Sequence, residues 1–142
     1  MTVVTANFSV TTTRRTELID ITCDVNAAIR AAGVRTGIVS ANTAHTTAAL
    51  LINEFEPALM DDLVSLAERL VPATGAYRHN DARYSDCERG NAQAHLRAAL
   101  FGRSVAVPIE DGGVVLGEHQ AIIFAEFDGP RRRDITIQMI GE

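Results

Sequence analysis

The sequence predicts an α+β fold, with a largely antiparallel sheet covered by three helices on one face. Three observations predict it. Strict apolar–polar alternation opens the chain and returns in its last third, three segments of helical periodicity lie between, and a hairpin signal follows the last of them.

The elements follow in order. Val4, Ala6, Phe8 and Val10 alternate with Thr5, Asn7, Ser9 and Thr11, the period of a half-buried strand. Arg14 and Arg15 make a turn, and Leu18 to Thr22 returns as a short strand. Asp24 is placed as an N-cap, after which Val25, Ala28, Ile29 and Ala32 form a helical stripe that Gly33 closes. Thr36 to Ala41 and Thr46 to Ile52 read as strands joined through Asn42 and Thr43. Pro57 suits the first turn of a second helix, with Leu59, Leu63, Leu66 and Leu70 as its apolar stripe and Pro72 as its stop. Ala73 to Gly90 is a polar loop of a length that is usually functional or mobile. Asn91 starts a third helix, with Ala92, Leu96, Ala99 and Leu100 on the side expected to be buried and Gly102 at its end. Val105, Val107 and Ile109 alternate into a turn at Glu110 to Gly113, and Val114 to Leu116, Ala121 to Glu126 and Asp134 to Ile140 complete the strands.

Composition bounds the function. A length of 142 residues and 46% hydrophobic content suit one domain over residues 1–142, with no linker or repeat to divide it. The N-terminus lacks the basic start and apolar run of a secretory signal, and no stretch approaches the roughly 20 apolar residues of a membrane span, so a cytoplasmic chain is expected. Cys23 and Cys87 are too few and too far apart for a disulfide framework. A net charge of −5 argues against nucleic acid, which needs a concentrated basic face. The Arg131–Arg133 cluster is either a solvated turn or a collector of phosphate oxygens. All 13 basic residues are Arg, so Schiff-base and P-loop lysine chemistry are excluded.

The chemistry-bearing candidates are the histidines. His45 is expected to open a strand, His79 lies in the polar loop among Tyr77, Arg78, Asn80 and Asp81, and His95 lies on the third helix between small residues. Their spacing alone does not make a site, because each also reads as an ordinary hydrogen-bonded histidine.

Several segments together are more specific. HTTAALLINE from His45 resembles the HTS-A-L-x-x-NE motif of the YjbQ family, also known as UPF0047. YRHND (Tyr77–Asp81), NAQAHLRAALFG (Asn91–Gly102), VPIEDG (Val107–Gly112), VLG-x-x-Q (Val115–Gln120) and EFDGPRRR (Glu126–Arg133) resemble further motifs of that family, in order. The resemblance implies small α+β subunits assembled as homotrimers, and a metal held by His45, His79 and His95. It also implies a weak thiamine-phosphate synthase activity whose physiological weight is unsettled. The chain departs from the family at Leu116–Gln120, reading LGEHQ where LGTWQ is usual, so Glu118 and His119 mark a changed wall or an altered entry.

Three neutral imidazoles with an open position suit Zn²⁺, and Mg²⁺ would accompany a pyrophosphate substrate. Arg78, Arg131, Arg132 and Arg133 are candidate donors to a small phosphorylated substrate. Glu54, Asp81 and Asp111 are candidate acid–base groups, although alternation from His45 turns Glu54 to the opposite face. Thr46 and Thr47 either donate to a phosphate or metal-bound oxygen or satisfy strand-end backbone. His119 and Cys87 are further candidate ligands, each also readable as an ordinary surface or loop residue. Three functions follow: a thiamine-phosphate synthase-like transferase, a metal-dependent hydrolase of a small phosphate or ester, and a non-catalytic metal-binding trimer.

Overall fold

A computed structural model describes every residue from Met1 to Glu142. The strands are β1 (Thr2–Thr11), β2 (Glu17–Asp20), β3 (Gly37–Thr43), β4 (Ala48–Asn53), β5 (Ser104–Glu110), β6 (Gly113–Val114), β7 (Ala121–Glu126) and β8 (Arg132–Gly141). The helices are α1 (Thr22–Ala32), α2 (Pro57–Leu70) and α3 (Ala92–Phe101), with one turn of 3-10 helix at Arg78–Asn80.

The fold is α+β with antiparallel pairing throughout, as the patterning predicts. The strands divide into two sheets, which periodicity within a strand cannot reveal. One is five-stranded in the order β1-β8-β3-β5-β6, the other three-stranded in the order β2-β7-β4. β8 alternates exposed and buried along its length, because one face of the larger sheet meets the core and the other meets water. β7 is buried at every residue, since it is the middle strand of a sheet covered on both faces. Ile122 and Phe124 point from it into the main core with Val39, Ile109, Ile135, Ile137 and Met139 of the larger sheet. Ala121, Ile123 and Ala125 point the other way, towards α2 and α3. α1 closes the inter-sheet core through Val25 and Ile29, both fully buried.

The helix stripes differ from expectation. On α2 the buried residues are Met60 and Ala67, with Leu63 and Val64 half-buried, while Leu66 and Leu70 are exposed. On α3 the buried face carries Ala94, Arg97 and Ala98, and Leu96 and Leu100 face outward. Small residues win because α3 lies close over Ala49 and Ala125, leaving room for an alanine methyl and not for a leucine. α1 begins at Thr22, and Asp20 rather than Asp24 receives its first N–H, at 2.9 Å. Gly33 closes α1 in the left-handed conformation (φ 72°). The β5–β6 hairpin turns on Asp111 and Gly112, both at positive φ, as the Asp-Gly signal predicts.

The β3 and β4 boundaries matter most for the site. β3 runs on to Thr43 and β4 starts only at Ala48, so His45 stands in the connecting turn instead of opening a strand. Glu54 follows the end of β4, and the alternation argument for its face does not apply.

Candidate functional site

His45 is fixed at both ends. Its backbone N–H donates to Thr43 Oγ1 at 3.2 Å, and its ring Nε2 accepts from the Asp134 N–H at 3.0 Å. The β3–β4 turn thereby folds over the start of β8. Burial lowers the His45 pKa, and the charge of Arg133 lowers it further, so the ring is held neutral.

His79 and His95 are brought together by the polar loop docking on α3. Asn80 makes the joint: its Oδ1 accepts from the Ala92 N–H at 2.9 Å and its Nδ2 donates to Gln93 Oε1 at 3.3 Å. This sets the 3-10 turn against the first turn of α3, and the His79 and His95 rings meet edge to face with centroids 4.9 Å apart. Burial lowers the His95 pKa, with the His79 charge acting in the same direction. His79 Nε2 is buried and has no hydrogen-bond partner, the only such side-chain nitrogen or oxygen in the chain. His45 and His95 line one open depression of about 340 Å³, together with Thr43, Thr46, Ala99 and Arg103.

The donor set fits a metal in part. His79 and His95 are adjacent imidazoles, and the unsatisfied His79 Nε2 is a buried lone pair or N–H without an acceptor. His45 is committed to Asp134, so its Nε2 is not free to ligate as it stands. No group of three or more His, Cys, Asp or Glu side chains is gathered tightly enough to form a cage.

The remaining sequence candidates are dispersed. Thr47 is buried, its hydroxyl accepting from Arg133 Nη2 at 2.8 Å. Glu54 lies past the far end of β4 from His45, 3.6 Å from His119 Nδ1 on the surface. Asp81 binds Arg83 through Nε and Nη2, and Arg83 holds its carboxyl below the usual range. Arg78 lies 4.9 Å from the Tyr84 ring centroid. Arg132 donates to Ser9, Asp111 pairs with Arg35, and Cys87 Sγ is 3.7 Å from Asn91 Oδ1.

Two carboxylates went unassigned in the sequence although their motif stood out. Glu126 is fully buried and receives the Arg133 guanidinium through Nε at 2.8 Å and through Nη2, plus the Thr12 hydroxyl at 2.8 Å. Asp128, also buried, gathers Arg89 at 3.0 Å, Arg131 at 2.9 Å, Arg15 at 3.7 Å and the Asn91 amide at 2.9 Å. Burial pulls the pKa of each upward, and the hydrogen-bonded arginines overcome it, so both lie below the usual carboxylate range. The signal was two acids directly after an apolar run, Ala121–Ala125, where burial without a cation would be too costly. Gly129 allows the arrangement, because a side chain there would collide with the Arg14 carbonyl oxygen and the Thr12 hydroxyl. Its N–H donates to the Arg15 carbonyl at 3.0 Å, tying the first turn of the chain to the β7–β8 loop.

These features define an α+β protein of two antiparallel sheets with an imidazole pair beside an arginine–carboxylate network. Residues 6–142 match the family described as UPF0047 protein YjbQ-like. The chain belongs to this family. It is 42% identical over 142 residues to a UPF0047 protein of Methanothermobacter thermautotrophicus, covering 100% of this chain and 95% of that one. It is 37% identical over 131 residues to the UPF0047 protein YugU of Bacillus subtilis, covering 92% and 94%. Among crystal structures, a YbjQ-like protein of unknown function from Sulfolobus solfataricus superposes with a TM-score of 0.90 at 35% identity, covering 99% of both chains. A YjbQ/UPF0047 family protein from Clostridium acetobutylicum superposes with a TM-score of 0.85 at 34% identity, covering 95% of this chain and 99% of that one.

Proposed function

We propose that the chain binds a divalent metal at the His79–His95 pair, Zn²⁺ before Mg²⁺, with His45 as the third ligand once it leaves Asp134. The observation that carries this is the buried His79 Nε2 without a partner, set against a second imidazole. Borderline metals favour neutral imidazole nitrogen, whereas Mg²⁺ favours oxygen. When bound, such an ion supplies Lewis acidity towards a phosphoryl or carbonyl oxygen.

The chain's own residues then have distinct tasks. His79 and His95 hold the ion, and burial, which lowers the His95 pKa, favours the neutral ring that ligates. Arg103 lines the depression with His45 and His95, so a negatively charged substrate there finds a cation. We read the substrate as a small phosphorylated molecule. The reaction is a thiamine-phosphate synthase-like group transfer, following the family resemblance, or hydrolysis of a phosphate ester in the same place.

A homotrimer is part of this reading. The outer face of the larger sheet carries an in-register row of exposed apolar residues, Val3, Ile140 and Ile38. Such a row on an uncovered sheet face suits a second copy of the chain. Light scattering of Ile38→Asp tests it: a shift from trimer to monomer is expected, and a monomeric parent protein overturns it. For the metal, elemental analysis of tag-free protein is expected to give one ion per chain, lost in His95→Ala. Full retention in single alanine variants of all three histidines overturns the assignment.

A further inference from the structure

We propose that Arg15, Arg89 and Arg131, gathered on Asp128, form a binding subsite for the phosphate group of a small-molecule dianion next to His95. Three guanidiniums share one carboxylate, while the neighbouring Arg133–Glu126 pair is neutral in itself, leaving a surplus of two positive charges. That surplus sits in a chain whose net charge is −5, so general basicity does not account for it. None of the three arginines forms an ion pair with any other acid.

The geometry leaves their donors available. A guanidinium carries five N–H donors. Arg89 commits Nε and Arg131 one Nη2 to Asp128, and Arg15 approaches only to 3.7 Å. Side-chain exposure of 53% for Arg15, 54% for Arg89 and 34% for Arg131 leaves the unused edges open to a ligand, while Asp128 itself is 1% exposed. Asp128 thus acts as a buried post that holds three flexible cations in place, so less side-chain entropy is lost when an anion arrives. The post is itself held: Asn91 donates to it from the start of α3, and Glu126 accepts the Asp128 N–H at 3.1 Å. Asn91, which donates to Asp128 at 2.9 Å, also accepts the His95 N–H on its backbone carbonyl at 3.3 Å, which places the subsite at the start of α3, one helical turn from His95.

Multiple N–H donors in fixed forks match the oxygens of a phosphate better than those of chloride or a monocarboxylate. The assignment excludes Arg78, Arg132 and Arg133 from this task, since they are engaged by Tyr84, Ser9 and Glu126 respectively. As a substrate anchor it rests on the functional reading above; as an anion site it stands on its own residues.

The test is an NMR titration of isotope-labelled protein in EDTA at constant ionic strength, with inorganic phosphate, phenyl phosphate and acetate as probes. Saturable shifts around Asp128 are expected with both phosphates and not with acetate. Arg89→Gln and Arg131→Gln are each expected to weaken binding at least about tenfold, the loss of one charge-assisted hydrogen bond. Arg35→Gln, at the opposite end of the larger sheet, is expected to leave it unchanged. Equal binding of acetate, undiminished phosphate binding in both variants, or an equal loss in Arg35→Gln overturns the proposal. Binding of inorganic phosphate without phenyl phosphate assigns the subsite to the free ion and overturns the substrate-anchor role. EDTA separates the two readings: loss of phosphate binding in the arginine variants supports the subsite even if no histidine variant changes metal uptake.

Discussion

Replacing Arg133 by Met tests how the carboxylate network is held. Arg133 is 1% exposed and Glu126 is 0% exposed, so the substitution strands a buried carboxylate with only the Thr12 hydroxyl and Asp128 N–H as donors. Breaking one side of a buried pair costs about 3–5 kcal/mol. At about 3 °C per kcal/mol for a chain of this size, the melting temperature is expected to fall by roughly 10 °C. The pH response gives a sharper test. In the parent protein the Glu126 pKa is below its usual value, so its stabilisation is present above the unfolded value and lost as pH falls through the folded one. Without Arg133, burial dominates and raises the folded pKa, so the variant gains stability from protonation at low pH. The gap between parent and variant therefore narrows from pH 7 towards about pH 4.5. Urea unfolding followed by circular dichroism, at fixed protein concentration and several pH values, measures it. A gap below about 1 kcal/mol, or one independent of pH, refutes the reasoning.

Other outcomes follow from the same structure. His45 and His95 have folded pKa values below 6.5, so the unfolded chain binds more protons; stability of metal-free protein is expected to fall as pH drops through that value. A double His45→Gln/His95→Gln variant should flatten that slope in thermal melts, and an unchanged slope contradicts it. Gly129→Ala is expected to lower the melting temperature by several degrees, about 1–3 kcal/mol of overpacking, and to weaken phosphate binding by displacing Arg15. Calorimetry and the phosphate titration read the two effects. Leu96→Gln, at an outward-facing position on α3, should change monomer stability by less than about 0.5 kcal/mol.

Local pattern was legible where local physics decides. Alternation located β1 and β5, and the Asp111–Gly112 turn and the Gly33 helix end followed from residues whose backbone needs are specific. The leucine stripes of α2 and α3 misled because the spacing of residues shows amphipathicity but not which neighbour a face meets. Here Ala49 and Ala125 set a close approach that selects small side chains. The division into two sheets was hidden for the same reason, since pairing partners lie far apart in sequence.

The site was legible in its types and not in its assembly. His79 and His95 are brought together by Asn80 docking on α3, a contact that no spacing encodes. His45 is held to Asp134 by a bond that depends on where β3 ends. Arg133 was a candidate donor to substrate, yet it is buried against Glu126, while Arg89 and Arg15 carried no local signal until Asp128 gathered them.

The central claim is that His79 and His95 hold a metal, and calorimetric titration of tag-free apoprotein with Zn²⁺ tests it most directly. One ion per chain is expected for the parent protein and at least about a hundredfold weaker binding for His79→Ala, as loss of a ligand demands. A parent protein that takes up no zinc, or a His79→Ala variant that binds it with unchanged stoichiometry and affinity, contradicts the account.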